Sequence, residues 1–286
     1  MKVTIIGTGK AGSALAFALK KAGFGINALV GRNYSAAVKI GKKTGCSSVY
    51  RKAVQKSIDG SDIILISVED SNIKSVSGEL GRLNIPDNAV ILHTSGVFTS
   101  GELKIKGVKK ANLGSFHPVQ TIPFISLSHS RLLEGIYFGI EGGEKALRIM
   151  KSMAKKMRSD FLVIPGKAKA EYHLSCVLAS NFVISNFYLN SLLSRELGIS
   201  ESKLFRSQKP LLMNTIENIG KYGAVKSITG PVSRGDHETV KLHLGVLHRK
   251  YPEFIEYYKS VSGVLLKAAK RKSSKPDFKK LIKLLG

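Results

Sequence analysis

Three glycines, Gly7, Gly9 and Gly12, stand at GxGxxG spacing between the strand-like run VTII and the helical run AGSALAFALKK. In that setting glycines permit a tight turn, let the backbone approach a phosphate and let the helix pack closely on its strand. The helix N-terminus beyond them offers unpaired N–H groups to an anion. Gly7, Thr8, Gly9, Lys10, Ala11 and Gly12 are therefore expected to cradle a dinucleotide pyrophosphate. A second set of candidates lies far along the chain. Lys169 and His173 are four residues apart in a helical pattern, so they project from one face about 40° apart. Ser180 returns to that face, while Asn181 lies about a third of a turn away. A lysine so placed can protonate the alkoxide or amine left by a hydride transfer and stabilise its charge. Its plainer reading is an exposed lysine beside a core histidine.

The second strand should end near Val30, where a site for NAD usually carries an acid for the ribose 2′-hydroxyl. Here the sequence is Gly31-Arg32-Asn33, and no Asp or Glu occurs before Asp59. Arg32 can pair with a 2′-phosphate, with Asn33 and Ser35 donating to it, so the expected cofactor is NADP. Ligands of parallel sheets bind beyond the carboxyl ends of the strands. Three such ends are polar: SVEDSN, HTSG and SFHPVQT. Val68 and Thr94 are expected against the cofactor, Ser95 and Gly96 beside the reacting centre, and His117 against the substrate. Asp70 reads as the cap of the helix SNIKSV. In TGPVSRGDHET, Asp236 reads as another cap and Arg234 as a bidentate clamp on a substrate carboxylate. Cys176 reads as a small buried apolar residue, and no metal site is expected.

The elements that must position these residues follow from hydrophobic patterning. Seven short β-branched or apolar runs (VTIIG, INALV, DIILIS, AVILHTS, ANLGSFH, IYFGIE and FLVIP) occupy residues 1–164, with helical patterns between the first of them. Several runs are continuously apolar, as strands buried on both faces require. The expected class is α/β: a doubly wound Rossmann domain over residues 1–164, then an all-helical domain over residues 165–286. The latter opens with the long helical pattern KAKAEYHLSCVLASNFVISNFYLNSLLSREL, whose apolar surface exceeds what one small bundle buries. A homodimer formed through this domain is the expectation.

Composition narrows the class. The 286 residues are 43% apolar, and no apolar run reaches the roughly 18 residues of a membrane span. The first residues lack the apolar region and cleavage site of a secretory signal, and two cysteines cannot build a disulfide framework. A cytoplasmic protein is expected. Forty-five Lys and Arg against 20 Asp and Glu give a formal charge of +25. The cations are spread along the whole chain without zinc-finger spacing or a stacking motif, so solvated basic faces are favoured over nucleic-acid binding. The C-terminal KAAKRKSSKPDFKKLIKLLG reads as a basic helix end, a Ser-Ser-Lys-Pro break and a short amphipathic helix.

KAEYHLSCVLASNF, TGPVSRGD, HTSG and FHPVQT, behind the N-terminal GxGxxG, resemble a bacterial and archaeal family that joins a Rossmann-like domain to a helical domain of unknown function. The chain is more distantly similar to ketopantoate reductase, pyrroline-5-carboxylate reductase, 6-phosphogluconate dehydrogenase and prephenate dehydrogenase. The resemblance implies a catalytic lysine at Lys169, with His173 where related reductases keep asparagine. FHPVQT is similar to the His-Pro of prephenate dehydrogenases, and TGPVSRGD to a substrate loop of pyrroline-5-carboxylate reductases. The expectation is an NADPH-dependent oxidoreductase reducing a small, anionic, carboxylate-bearing carbonyl compound of the ketopantoate type. Lys169 would be its acid, His173 the partner of that acid, and Arg234 or Asn181 the carboxylate anchor. An imine reductase of the pyrroline-5-carboxylate type and a non-catalytic NADP-sensing protein are the alternatives.

Overall fold

Strand interiors such as Ile63–Ile66 are apolar at every position, which suits a strand covered on both faces. The computed structural model describes residues 1–124, 131–273 and 276–286. Ser274 and Lys275 of the expected Ser-Ser-Lys-Pro break lie outside them. Eight strands form one sheet: β1 (Lys2–Ile6), β2 (Gly25–Val30), β3 (Val49–Tyr50), β4 (Ile63–Ile66), β5 (Val90–His93), β6 (Leu113–Pro118), β7 (Tyr137–Gly142) and β8 (Asp160–Val163). Their order is β3-β2-β1-β4-β5-β6-β7-β8. All neighbours are parallel except β6 and β7. The order reverses beside β1, so the carboxyl ends of β1 and β4 flank the crevice where such sheets bind ligands. Alternate residues of one strand feed two separate cores. Ile63 and Leu65 pack on one face of the sheet, Ile64 and Ile66 on the other. Burying each such side chain contributes about 1.5–3 kcal/mol.

The helices over the sheet are α1 (Lys10–Lys21), α2 (Tyr34–Thr44), α3 (Gln55–Ile58), α4 (Ile73–Leu80) and α5 (Glu144–Lys156). They are followed by α6 (Lys169–Ala179), α7 (Asn181–Glu196), α8 (Glu201–Tyr222), α9 (Ala224–Ser227), α10 (Pro231–Arg234), α11 (His237–Lys250), α12 (Ile255–Lys272) and α13 (Lys279–Leu285). The chain divides into two compact units, Met1–Asn186 and Phe187–Gly286. The second is wholly helical and has its own core around Val232, Val240, Leu266, Phe278 and Leu281.

Four sequence expectations are corrected. β3 adds a strand too short to register as a run. The long helix after Lys169 is two helices, because Ser180 departs from helical geometry at φ −127° and ψ −66°. The stretch Gly166–Glu196 is nevertheless apolar and long enough to cross a membrane by length and composition, and its most apolar window has no buried residue. The expected loop TGPVSRGDHET contains α10, bounded by Gly230 and by Gly235, whose φ of +76° suits a residue without a Cβ. Asp236 caps α11 as expected, accepting from the Thr239 amide at 3.1 Å and its hydroxyl at 2.7 Å.

Candidate active site

The glycine loop between β1 and α1 has two kinds of glycine. Gly7 sits at φ +104°, and a Cβ there would lie 2.1 Å from the Ser67 carbonyl oxygen. A Cβ on Gly12 would lie 1.9 Å from the Gly7 carbonyl oxygen. Packing of the fold explains both. Gly9 is different, because its Cβ would meet nothing within 4 Å. The space above Gly9 belongs to a cavity of about 530 Å³. The Ser13 hydroxyl reaches the carbonyls of Thr8 (3.0 Å) and Gly9 (2.6 Å) and holds the loop. No side chain caps the N-terminus of α1 and no acid occupies its first turn, so it presents bare N–H groups. A dinucleotide pyrophosphate fits this loop.

At its far end the cavity is lined by Arg32, Asn33, Arg51 and Lys52, with Val68 and Val76 supplying apolar surface. Arg51 lies 5.1 Å above the Tyr34 ring. None of the three cations has an ion-pair partner among the described residues. The carboxylates of the cavity, Glu69 and Glu79, come from the β4–α4 segment; none follows β2. Asn33 caps α2 by accepting from the Ala36 amide, and the Ser35 hydroxyl donates to the same Asn33 oxygen. Ser35 is therefore spent on the helix cap and does not line the cavity. Arg51 and Lys52 escaped sequence reasoning. Their signal was an adjacent basic pair at the carboxyl end of the very short β3.

A second cavity, about 270 Å³, begins at the next residues, Lys10 and Ala11. Thr94, Ser95, Gly96, His117, Gln120, His173 and Asp70 line it. Asp70 was expected to cap a helix. It instead opens a 3₁₀ turn, Asp70–Asn72, and Asn72 precedes α4 without a side-chain cap. Ser95 is held by buried His93, whose Nδ1 accepts from the Ser95 amide at 3.2 Å while Nε2 donates to the Thr99 carbonyl at 2.9 Å. Gly96 is required by the histidines: its Cβ would lie 2.7 Å from His173 Cδ2 and 2.9 Å from His117 Nε2. The two imidazoles approach edge to face at 6.1 Å. His117 Nδ1 pairs with the Tyr172 hydroxyl at 2.8 Å. Burial, the Lys169 charge and His173 push His117 down to about 4, so it is neutral at pH 7. Burial pushes the Tyr172 hydroxyl up. Tyr172 also went unread in the sequence; its signal was a position between Lys169 and His173 on one helix.

Lys169 is not the exposed group that spacing suggested. Only 1% of it is accessible, because α6 turns it under the ends of β5 and β6. There it donates to the Ser95 carbonyl at 3.1 Å and the Ser115 hydroxyl at 2.8 Å. Ser115 in turn donates to the Ser95 carbonyl at 2.9 Å. Lys169 does not line the cavity, and its charge is separated from it by Ser95. Burial lowers it to about 8, opposed by the carboxylates of Glu141 and Asp70. Two further candidates were expected to anchor a carboxylate. Asn181 is exposed at the start of α7, and Arg234 is exposed at the end of α10 in the second unit. Cys176 is half-buried, forms no disulfide and lies within hydrogen-bonding reach of the Tyr172 hydroxyl. No cluster of His, Cys, Asp or Glu able to hold a metal occurs among the described residues.

Comparison with known proteins divides the chain earlier than the two compact units do, with the second match beginning at β7. A Rossmann-like domain model matches residues 1–111, and the model "Domain of unknown function (DUF2520)" matches residues 136–264. No curated protein sequence matches significantly. Among solved structures, protein TM1727 of Thermotoga maritima is 26% identical, with a TM-score of 0.69 over 95% of this chain and 99% of that one. A provisionally named NADP oxidoreductase of Bacteroides fragilis, BF3122, is 20% identical, with a TM-score of 0.74 over 93% and 98%. A pyrroline-5-carboxylate reductase of Streptococcus pyogenes is 16% identical, with a TM-score of 0.63 over 95% and 98%. The latter two likenesses concern the fold. The chain thus joins a segment that matches a Rossmann-like domain to a C-terminal segment that matches DUF2520.

Proposed function

We propose that this chain is an NADPH-dependent oxidoreductase that reduces a small carboxylate-bearing carbonyl compound, with a 2-oxo acid of the ketopantoate type as first candidate. The observation that carries the reading is Gly9, a glycine the packing does not demand, opening onto a cavity with Arg32, Arg51 and Lys52 at its far end. Backbone N–H groups of the loop and of α1 would hold the pyrophosphate. The three cations would hold the 2′-phosphate, the arginines by paired hydrogen bonds and Lys52 as a point charge. When bound, the nicotinamide supplies a hydride, an electron pair with its hydrogen nucleus, to the carbonyl carbon, and the oxygen takes up a proton. His117 and His173 are the side chains placed to touch a substrate in the second cavity. Lys169 acts without contact: its ammonium under Ser95 makes that cavity favourable for developing negative charge. The names of the solved structures, one an NADP oxidoreductase and one a reductase of a cyclic imine acid, support a nicotinamide cofactor.

One observation favours a second reading. The carboxylate of Asp70 lines the substrate cavity, and a carboxylate suits a cationic imine better than an anionic acid. Loss of NADPH fluorescence across a panel of 2-oxo acids and cyclic imine acids tests both readings. Steady oxidation with a 2-oxo acid supports the first and oxidation with imines alone the second. NADPH binding without turnover on any compound would leave a sensing protein.

The uncovered apolar side chains Leu174, Leu178, Phe182, Ile184 and Tyr188 along α6 and α7 support a homodimer. The two free cysteines fit a cytoplasmic location.

A further inference from the structure

The half-buried Tyr172 hydroxyl lies 2.8 Å from His117 Nδ1, with the Cys176 thiol and the Gly139 backbone also in reach. Of these, Nδ1 is the strongest acceptor for the hydroxyl hydrogen. Were Nδ1 itself protonated, that hydrogen would be left to the weakly accepting thiol. Nε2 is the other end of the ring. It faces the space that Gly96 leaves vacant, in the cavity lined by His117, His173 and Thr94, and no acceptor among the described residues is paired with it there. Around the ring stand Lys169, Tyr172 and His173 from α6, with Lys10 from α1 and Asp70 from the turn after β4 in the same cavity. The Lys169 charge and His173 oppose an imidazolium.

We infer that Tyr172 is a positioning residue that fixes His117 as a neutral imidazole with its proton on Nε2, aimed into the second cavity as a hydrogen-bond donor. Such a donor recognises an oxygen with a free lone pair: a ketone carbonyl or a carboxylate. A protonated imine nitrogen has no lone pair to offer, although the carboxylate of an imine acid does. With Nε2–H aimed at the reacting group rather than at the carboxylate, the pair therefore favours a carbonyl over a cationic imine. That selection rests on the reductase reading, whereas the tautomer does not.

The test separates the two. Long-range ¹H–¹⁵N spectra of the ¹⁵N-labelled protein, with His117 assigned by the His117→Asn variant, report which ring nitrogen carries hydrogen. Across about pH 5.5 to 8, wild-type His117 should show a protonated Nε2, a bare Nδ1 and no titration. Tyr172→Phe should bring in the Nδ1–H form, and its circular dichroism should match wild type. A wild-type ring protonated on Nδ1, or doubly protonated at pH 7, would overturn the proposal without recourse to any variant. So would a folded Tyr172→Phe with an unchanged ring. On whichever 2-oxo acid the NADPH screen identifies, Tyr172→Phe should lower kcat about 10-fold or more at unchanged NADPH affinity. Turnover confined to imines, with the tautomer as stated, would refute the selection and spare the tautomer.

Discussion

Replacing Lys169 by methionine should make the protein more stable, not less. Lys169 is a buried cation with no ion-pair partner among the described residues, held by one carbonyl and one hydroxyl. Its value falls from 10.5 to about 8 in the folded chain. At 1.36 kcal/mol per pH unit, keeping it charged costs the fold about 3 kcal/mol. The variant loses two hydrogen bonds worth about 1 kcal/mol each, but strands no buried group, because Ser115 still donates to the Ser95 carbonyl. Methionine is also close in volume and apolar. The net gain at pH 7 should be about 1–2 kcal/mol. The sign of the pH dependence follows from linkage. Below about pH 8 both folded and unfolded chains carry the proton on Lys169, and the cost is constant. Between about 8 and about 10.5 only the unfolded chain does, so wild-type stability rises relative to the variant. Urea unfolding followed by circular dichroism, at pH 7, 8, 9 and 10, measures that difference, and titrations common to both proteins cancel. A variant less stable at pH 7, with a gap that does not close as pH rises, would refute the electrostatic account.

Three further outcomes are expected. Gly9→Ala should keep stability within about 0.5 kcal/mol of wild type yet weaken dinucleotide binding about 10-fold or more, whereas Gly12→Ala should lower the melting temperature. Differential scanning calorimetry and a binding titration together separate these, and equal destabilisation by both would contradict the distinction. Gly96→Ala should displace His117 or His173 and cut turnover with little change in dinucleotide affinity, to be read in steady-state kinetics; undiminished kcat would show that the histidines do not act at that surface. Light scattering at micromolar concentration should give the mass of a dimer, and Ile184→Lys together with Leu178→Lys should give a monomer.

The fold was legible because β1, β2 and β4–β8 are apolar runs with few polar interruptions and because the glycine loop stands in its strand–helix context. The cation at Arg32 was legible through the missing acid. Arg51 and Lys52 were not, since a two-residue strand carries no periodicity to show that the chain returns beside β2. Lys169 stood out in the sequence, but its burial did not. Helical spacing places side chains around an axis, but which face meets the ends of β5 and β6 depends on tertiary packing. The apolar residues of α6 do not form a single stripe that would reveal it: Leu174 and Leu178 are exposed while Lys169 is buried. Asp70 was misread for a related reason. Its local pattern fits a cap, but the chain enters α4 through a 3₁₀ turn and leaves the carboxylate at the cavity.

The central claim is that the chain holds a dinucleotide bearing a 2′-phosphate, and calorimetric titration with NADPH and with NADH tests it most directly. NADPH should bind at least about 10-fold more tightly, a difference of about 1.4 kcal/mol. Arg32→Ala alone should remove part of that preference, because Arg51 and Lys52 remain, and alanine at all three positions should abolish it. Equal dissociation constants for the two dinucleotides, or no binding of either, would contradict the account.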